Sequence, residues 1–357
     1  MAKEDIANLR REIDALDAEL LSLVNRRAAL AQRIGALKEG AQAYRPEREA
    51  EILRRVAADN PGPLSGAGVA AVFREVISAC RALEETIRVA YLGPEGTFSE
   101  QALLRQFGST IESLPCATID EVFRAVETGA TRYAVAPVEN SAEGAVGRTL
   151  DLLLSTPKQI CAEVVLRVHH HAMTRGGTLD GVRRVYSHAQ SFAQCDRWLA
   201  RNLPNAERVP VSSNAEAARR AAGEDGVCAI GPEIAAQRYG LSVVAANIED
   251  EPNNRTRFIV LGDEAPAPSG RDGTSLVMSA PNRPGAVHAL LTPFAKHGVS
   301  MSRLESRPMR IGKWEYYFFV DLDGHRSDAA VAAALKELAE LAPFIKVLGS
   351  YPLAAAA

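Results

Sequence analysis

A chain of 357 residues, 47% hydrophobic and 24% charged, has room for two or three domains and is neither a disordered nor a fibrous protein. Its net charge of −3 offers no bulk attraction to nucleic acid or an anionic membrane, so cations that bind an anion must be gathered locally. Five scattered cysteines (Cys80, Cys116, Cys161, Cys195 and Cys228) without a CxxC pair read as reduced, buried thiols of a cytoplasmic protein. The charged N-terminus and the lack of a long apolar run agree with that reading.

From Asp5 to Lys38 the apolar residues recur three or four apart, predicting one long amphipathic helix that cannot bury its stripe against itself. A short helix follows with Pro46 in its first turn, stopped at Asn60-Pro61-Gly62-Pro63, and "SGAGVAAVFREVISACRALEETI" supplies a third. Such a segment favours a dimer with a shared core. On ideal geometry Arg27 and Lys38 lie about 20° apart on one face and about 16 Å apart along the axis, so together they could hold a small dianion. Arg10, about 25 Å from Arg27, could serve only a partner's site. Arg48 and Glu49 open the second helix, and Cys80 and Glu84 share a face of the third. Taken alone, these charges also fit a solvated helix face.

"LRREIDALDAELLSLVNRRAALAQRIGALK" followed by "YRPEREAEIL" resembles the all-helical chorismate mutase family across residues 5 to 87. The resemblance implies an intertwined three-helix domain that rearranges chorismate to prephenate, a pericyclic step driven by positioning and charge stabilisation. It implies that Arg10 of the other subunit, Arg27, Lys38 and Arg48 grip the carboxylates and ether oxygen. Glu49 would take the ring hydroxyl, with Cys80 and Glu84 lining the pocket. Relatives often carry serine and glutamine at these last two positions. A glutamate donates to the ether oxygen only when protonated, so this step should slow as pH rises.

From "RVAYLGPEGTFSEQALLRQF" onward strands alternate with helices, predicting an open, mostly parallel α/β sheet with ligands at the carboxyl ends of its strands. The loops there ("GPEGTFS", "PVENSAEG", "SHAQS", "SSNAE" and "NNRTRF") are rich in glycine, hydroxyls and amides, suited to a small oxygen-rich anion. Ser213 with Glu216 also fits a plain capping box. In "VLRVHHHAMTR", neighbouring strand residues point to opposite faces, so His169, His170 and His171 cannot all ligate one ion, and no metal is expected.

"GPEGTFSEQA", "PVENSAEGAVGRTLDLL", "YSHAQSFAQC" and "NNRTRF" resemble the prephenate dehydratase family, in its order, across residues 88 to 262. The resemblance implies a two-lobed domain like the periplasmic binding proteins and loss of carbon dioxide and hydroxide from prephenate, driven by aromatisation, without a cofactor. It gives Thr256 as donor to the leaving hydroxide and Arg257 as holder of a carboxylate. Phe258 would pack beneath the ring or strand, and Asn140, Ser187 and Gln194 would orient the substrate. Glu139, Ser141, Thr97 and Asn214 stand behind them. A threonine hydroxyl is a very weak acid, so a relay through a neighbour or water is expected.

"DEAPAPSGRDG" reads as a linker. Beyond it a strand, a helix, a hairpin turning at Ile311-Gly312, a helix to about Leu341 and a last strand give a βαββαβ, ferredoxin-like order. "NRPGAVHALLTPFAKHGVSMSRLESRPMR" resembles the regulatory ACT modules of this dehydratase family. That implies L-phenylalanine held between paired modules by Gly285, Ala286, Val287 and His288 on one side and Glu305, Ser306, Arg307 and Pro308 on the other.

The expectation is therefore a multidomain chain, with an all-α segment over 1–87, an α/β segment over 88–265 and an α+β regulatory module over 272–351. Its expected partners are chorismate, prephenate, L-phenylalanine and another copy in a homodimer or higher even oligomer, without nucleic acid or membrane. Two alternatives stand beside it: a metabolite sensor without chemistry, and a dehydratase whose helices only dimerise it.

Overall fold

The computed structural model describes residues 2–37, 43–309 and 316–354. The chain divides into two compact units. One comprises Met1–Arg45, Glu51–Ile87 and Phe107–Glu112, and the other Pro46–Ala50, Arg88–Gln106 and Ser113–Ala357.

The helical unit holds α1 (Ala2–Leu37), α2 (Pro46–Ala58) from Glu51 onward and α3 (Gly66–Ala82), the first residues of α2 being grouped with the other unit. Pro46 starts α2, where its missing amide hydrogen is no loss, and the Ser65 hydroxyl caps α3 by accepting from the Gly68 amide. The stripe of α1 stays uncovered: Ile6, Leu9, Ile13, Leu16, Leu20, Leu23, Leu30 and Ile34 are each at least 50% exposed. At the base of α3, Arg81 is buried, donates to the Phe107 carbonyl and lies over the Tyr44 and Phe107 rings.

The other unit begins with β1 (Arg88–Leu92), α4 (Phe98–Phe107), β2 (Glu112–Cys116), α5 (Ile119–Glu127), β3 (Tyr133–Asn140), β4 (Gly144–Ala145), α6 (Gly147–Ser155), β5 (Gln159–Arg167) and β6 (His171–Thr174). It continues with β7 (Arg184–Ser187), α7 (Ala189–Gln194), α8 (Asp196–Asn202), β8 (Glu207–Pro210), α9 (Asn214–Gly223), β9 (Val227–Gly231), α10 (Glu233–Tyr239), β10 (Ser242–Ala245) and β11 (Arg255–Gly262). The first sheet has the order β2-β1-β3-β11-β5 with β4 alongside β3, and the second β10-β6-β9-β7-β8. A mostly parallel sheet was expected, but both sheets are mixed. β1 and β3 are parallel, whereas β11 returns from the second sheet to lie antiparallel between β3 and β5. Running backwards, β11 delivers its first residues to the carboxyl end of β3, where ligand loops gather.

The register of β11 against β3 contains a bulge. Thr256 faces Asn140 and Arg257 faces Glu139, but Phe258 faces Pro137, leaving Val138 as the extra residue. A bulge breaks the alternation of a strand. Beyond it, Ile259 and Leu261 pack with Ala134 and Ala136 on the face that meets the C-terminal module.

That module is β12 (Asp272–Ala280), α11 (Ala286–Lys296), β13 (Met301–Pro308), β14 (Tyr316–Asp323), α12 (Ala329–Leu341) and β15 (Phe344–Pro352), with sheet order β13-β14-β12-β15. The βαββαβ expectation agrees with this order, and the turn expected at Ile311-Gly312 lies outside the described residues. One core joins this sheet to the first sheet, combining Val277, Phe319, Leu348 and Tyr351 with Val138, Leu150, Leu153, Ile160 and Ile259. Gly349 sits where β15 meets β5 so closely that a Cβ would stand 2.1 Å from the Ile160 carbonyl oxygen.

Candidate active site

In the helical unit, Arg27 is half-buried on α1 and Arg10 is exposed about half a helix away. Cys80 is buried on α3, and the Glu84 side chain lies so close to Gly35 of α1 that a Cβ there would be 2.9 Å from its Cγ. Glu84 thus stands beside the last turn of the helix that carries Arg27. Lys38 lies outside the described residues. Arg48 is exposed and Glu49 half-buried in the first turn of α2.

In the α/β unit, Asn140 and Thr256 meet directly: the Asn140 amide nitrogen donates to the Thr256 hydroxyl oxygen at 2.8 Å. The Asn140 carbonyl oxygen accepts from the backbone amides of Ala142 at 2.9 Å and Glu143 at 3.2 Å, which fixes which way the side-chain amide faces. With one lone pair of its oxygen engaged, the Thr256 hydroxyl is an acceptor toward Asn140, and its hydrogen is not used in that bond. Ser141 locks the crossing, since its hydroxyl accepts from the Arg255 amide at 2.9 Å and lies 3.3 Å from the Asn254 side-chain oxygen.

Gln194 is half-buried, and its side-chain oxygen lies 2.8 Å from His170 Nε2. His170 is 1% exposed and meets the Phe98 ring edge-on. Burial pushes its imidazole below the usual histidine value, so it is neutral at pH 7 and donates from Nε2 to Gln194. His169 pairs instead with the buried carboxylate of Glu249 at 2.8 Å. Among the described residues no cluster of three or more metal-ligating side chains occurs. The sequence reading assigned roles to neither His170 nor Glu249, although a carboxylate opening "EDEPNNRTRF" was a usable signal.

Thr97 caps α4 and donates to the Leu92 carbonyl at 3.1 Å. Glu100, also unassigned from sequence, is fully buried; it receives the Gly96 amide and is paired with Arg238 of α10, tying the first sheet's layer to the second's. Ser213 caps α9 through the Glu216 amide at 3.0 Å, as the plain reading had it.

Three expected substrate contacts require correction. Ser187 has no exposed surface, and its hydroxyl faces the Ile230 carbonyl and the Asn214 side-chain oxygen, each at 3.1 Å. It steadies the Asn214 loop and does not present itself to a substrate. Arg257 does not face the cleft: one residue along the strand from Thr256, its guanidinium donates to Glu163 at 2.9 Å, to Asp321, and to the Tyr351 phenol at 2.7 Å. Burial opposes its charge, but Tyr351, Asp321 and Glu163 outweigh this and hold it firmly protonated. Glu139, brought to the same face by the bulge, pairs with Arg303 at 3.0 Å. Phe258 is 1% exposed and packs beneath the strand, one of its two expected places.

In the C-terminal module Gly285 takes a left-handed conformation (φ 77°) and leads into α11, with Ala286 buried, Val287 half-buried and His288 exposed. Glu305 is half-buried, while Ser306 and Pro308 are exposed, on the edge strand β13. Arg307 is corrected as an effector ligand: its guanidinium is held by Asp151 of α6 at 3.0 Å. All five cysteines are free and buried; burial pushes the Cys228 thiol up to about 12, and Cys161 and Cys195 also upward.

A two-lobed α/β unit with uncharged donors at the strand crossing, continued by a ferredoxin-like module, defines a prephenate dehydratase with an ACT domain. Family models agree, matching prephenate dehydratase over residues 89–266, ACT domain over 274–340 and chorismate mutase type II over 9–85. A bifunctional chorismate mutase/prephenate dehydratase of Neisseria gonorrhoeae is 54% identical over 97% of this chain and 96% of its own length. Another, of Stutzerimonas stutzeri, is 49% identical over 98% of each. The chain belongs to the bifunctional chorismate mutase/prephenate dehydratase family. It is an isomerase and a carbon–oxygen lyase of phenylalanine biosynthesis. Among solved structures, a prephenate dehydratase of Arthrobacter aurescens in complex with L-Phe aligns with a TM-score of 0.69 at 36% identity, covering 74% of this chain and 90% of that one.

Proposed function

We propose that prephenate loses its ring hydroxyl and carboxylate where Thr256 meets Asn140, with the hydroxyl proton of Thr256 aimed at the departing oxygen. The observation that carries this is the 2.8 Å hydrogen bond between them. An amide donating to the threonine oxygen polarises its O–H, and the strengthened donor meets hydroxide as negative charge develops on it. Aromatisation supplies the driving force, so a neutral donor suffices. Gln194, held by His170, and Thr97 with Ser141 serve as orienting groups around that point.

The mutase step belongs to the helical unit, with Arg27, Lys38 and Glu84 acting on chorismate, and Arg48, Glu49 and Cys80 completing the pocket. Its other half comes from a second copy. The bare stripe of α1 fits a two-fold partner, and Arg10, about 25 Å along the helix from Arg27, then enters the partner's pocket. The product passes to the dehydratase step, and the ACT module takes L-phenylalanine as feedback inhibitor at Gly285, Ala286, Val287, His288, Glu305, Ser306 and Pro308 on paired modules. Domain limits of 1–87, 88–265 and 272–351, and a cytoplasmic location, complete this reading. Among the described residues no helix is long and apolar enough to cross a membrane.

The test supplies chorismate and prephenate separately and follows loss of each with the appearance of phenylpyruvate, with and without L-phenylalanine. Consumption of prephenate but not chorismate leaves the helices as a dimerisation device, and binding without turnover leaves only a sensor.

A further inference from the structure

The cross-strand pair Asn140/Thr256 has a neighbour with the opposite outlook. One residue along each strand, Glu139 and Arg257 also stand opposite each other, but they face the regulatory sheet. Every strand of that sheet reaches them or their partners. β14 provides Asp321, which takes an Arg257 nitrogen. β15 provides Tyr351, whose phenol accepts from Arg257 at 2.7 Å. β13 provides Arg303, paired with Glu139 at 3.0 Å and 3.9 Å from Asp321. β12 provides Ser275, bonded to Asp321 and to Tyr351. The proton order is determined: Asp321 as a carboxylate only accepts, so Ser275 donates to it and Tyr351 donates to Ser275. A closed circuit therefore runs Arg257–Tyr351–Ser275–Asp321–Arg257, anchored to the dehydratase sheet by Glu163, which also accepts from the Ala354 amide at 2.9 Å.

The circuit is buried, with side-chain exposures of 18% for Arg257, 9% for Asp321 and 8% for Glu163. A network of this kind is strongly coupled, because losing one member leaves a charge without its partner. A second grip acts on the helix that follows the Asn140 loop. Arg307 holds Asp151 of α6, and Lys346 donates to the carbonyls of Leu153, Leu154 and Thr156 at the helix's C-terminal end.

We propose that Arg257 and Glu139 are positioning residues: through Asp321, Tyr351, Ser275 and Arg303 the regulatory sheet sets the alignment of Thr256 with Asn140. Arg257 touches no substrate. A shift of β14 or β15 relative to β11 draws Arg257 along its strand, and Thr256 moves with the backbone they share. This inference rests on Thr256 and Asn140 forming the dehydratase centre.

The experiment measures kcat and KM for prephenate, and the L-phenylalanine response, in the full chain carrying Arg257→Gln, Asp321→Asn, the double substitution, Arg257→Lys or Tyr351→Phe. Arg257→Gln and Asp321→Asn should each lower kcat at least tenfold with KM within twofold, and the double variant should be no worse than the poorer single one. Arg257→Lys should recover part of kcat. Tyr351→Phe, which removes one oxygen and keeps the ring, should lower kcat about threefold and weaken the L-phenylalanine response at least fivefold; it decides the matter if Asp321→Asn does not fold. Mutase turnover, read in the same samples, should stay within twofold. A tenfold rise in KM with unchanged kcat in Arg257→Gln overturns the proposal, because that is the signature of a carboxylate ligand. Unchanged kcat and unchanged inhibition in Tyr351→Phe overturn it as well. If the wild-type chain itself makes no phenylpyruvate, the functional reading fails first and the proposal with it.

Discussion

The two units of this chain solve the problem of an apolar face in opposite ways. α1 leaves Leu9, Leu16, Leu20 and Leu30 more than half exposed along a helix of 36 residues. The β3–β11–β5 sheet instead buries Val138, Ile259 and Leu261 against side chains of the C-terminal module in the same chain. A face left bare demands a second molecule, and one covered internally makes its cover a potential controller. The helical chemistry should therefore depend on assembly, and the dehydratase chemistry on the state of its own regulatory sheet.

The sharpest way to break this contrast is Thr256→Ala. It removes the hydroxyl that Asn140 holds at the crossing and should reduce phenylpyruvate formation by about 10²- to 10³-fold, on the scale of a lost acid or oxyanion donor. Chorismate consumption should stay within about twofold, as expected for an independent site. Spectrophotometric assays of the two substrates read both numbers. Loss of both activities in a folded variant would contradict separate sites.

Next in size is Leu16→Glu with Leu20→Glu, which places two charges in the bare stripe. Sedimentation should show a smaller species, and mutase turnover should drop by about 10²-fold as the partner's Arg10 is withdrawn. Prephenate turnover by the same sample should change by less than about threefold. Equal loss of both activities would mean that the dehydratase also needs the helical contact.

A smaller effect is expected at Glu84. Glu84→Ala, which removes one polar partner beside the last turn of α1, should lower mutase turnover about tenfold, the scale of one hydrogen bond, whereas Glu84→Gln should keep it within about threefold. Unchanged chorismate turnover in Glu84→Ala would remove Glu84 from the pocket.

The smallest effect concerns His170. Burial favours its neutral form, so the folded chain takes up this proton at lower pH than the unfolded chain does. Below the ordinary histidine value of about 6.5 the unfolded state binds more protons, and stability falls as pH falls. The slope should be at most about 1.4 kcal/mol per pH unit from this group, and His170→Gln should flatten it in thermal melts between pH 7 and 5.

Much of the fold could be read in the chain itself. The three-residue and four-residue spacing of α1, Pro46 at the start of α2 and the βαββαβ order of the last segment follow from local rules. The donors at the crossing were legible through the ordered loops. The faces of the strands were not. Strand alternation places Thr256 and Arg257 on opposite sides, but no local signal says which side is the cleft. The extra residue at Val138 reverses the alternation of β3 by a pairing that only the third dimension reveals. Ser187 misled for a related reason, because hydroxyls that stabilise a loop and hydroxyls that bind a ligand have the same sequence signature.

That extra residue also bears on how the chain can change over time. Because Val138 is the residue without a partner, its loss alone would let Pro137, Glu139 and Asn140 keep Phe258, Arg257 and Thr256 opposite them in a regular ladder, at the cost of one buried side chain. A lineage that drops this codon should therefore keep both the amide at the reacting centre and the carboxylate beside its governor, whereas loss of Glu139 or Asn140 would remove a partner outright.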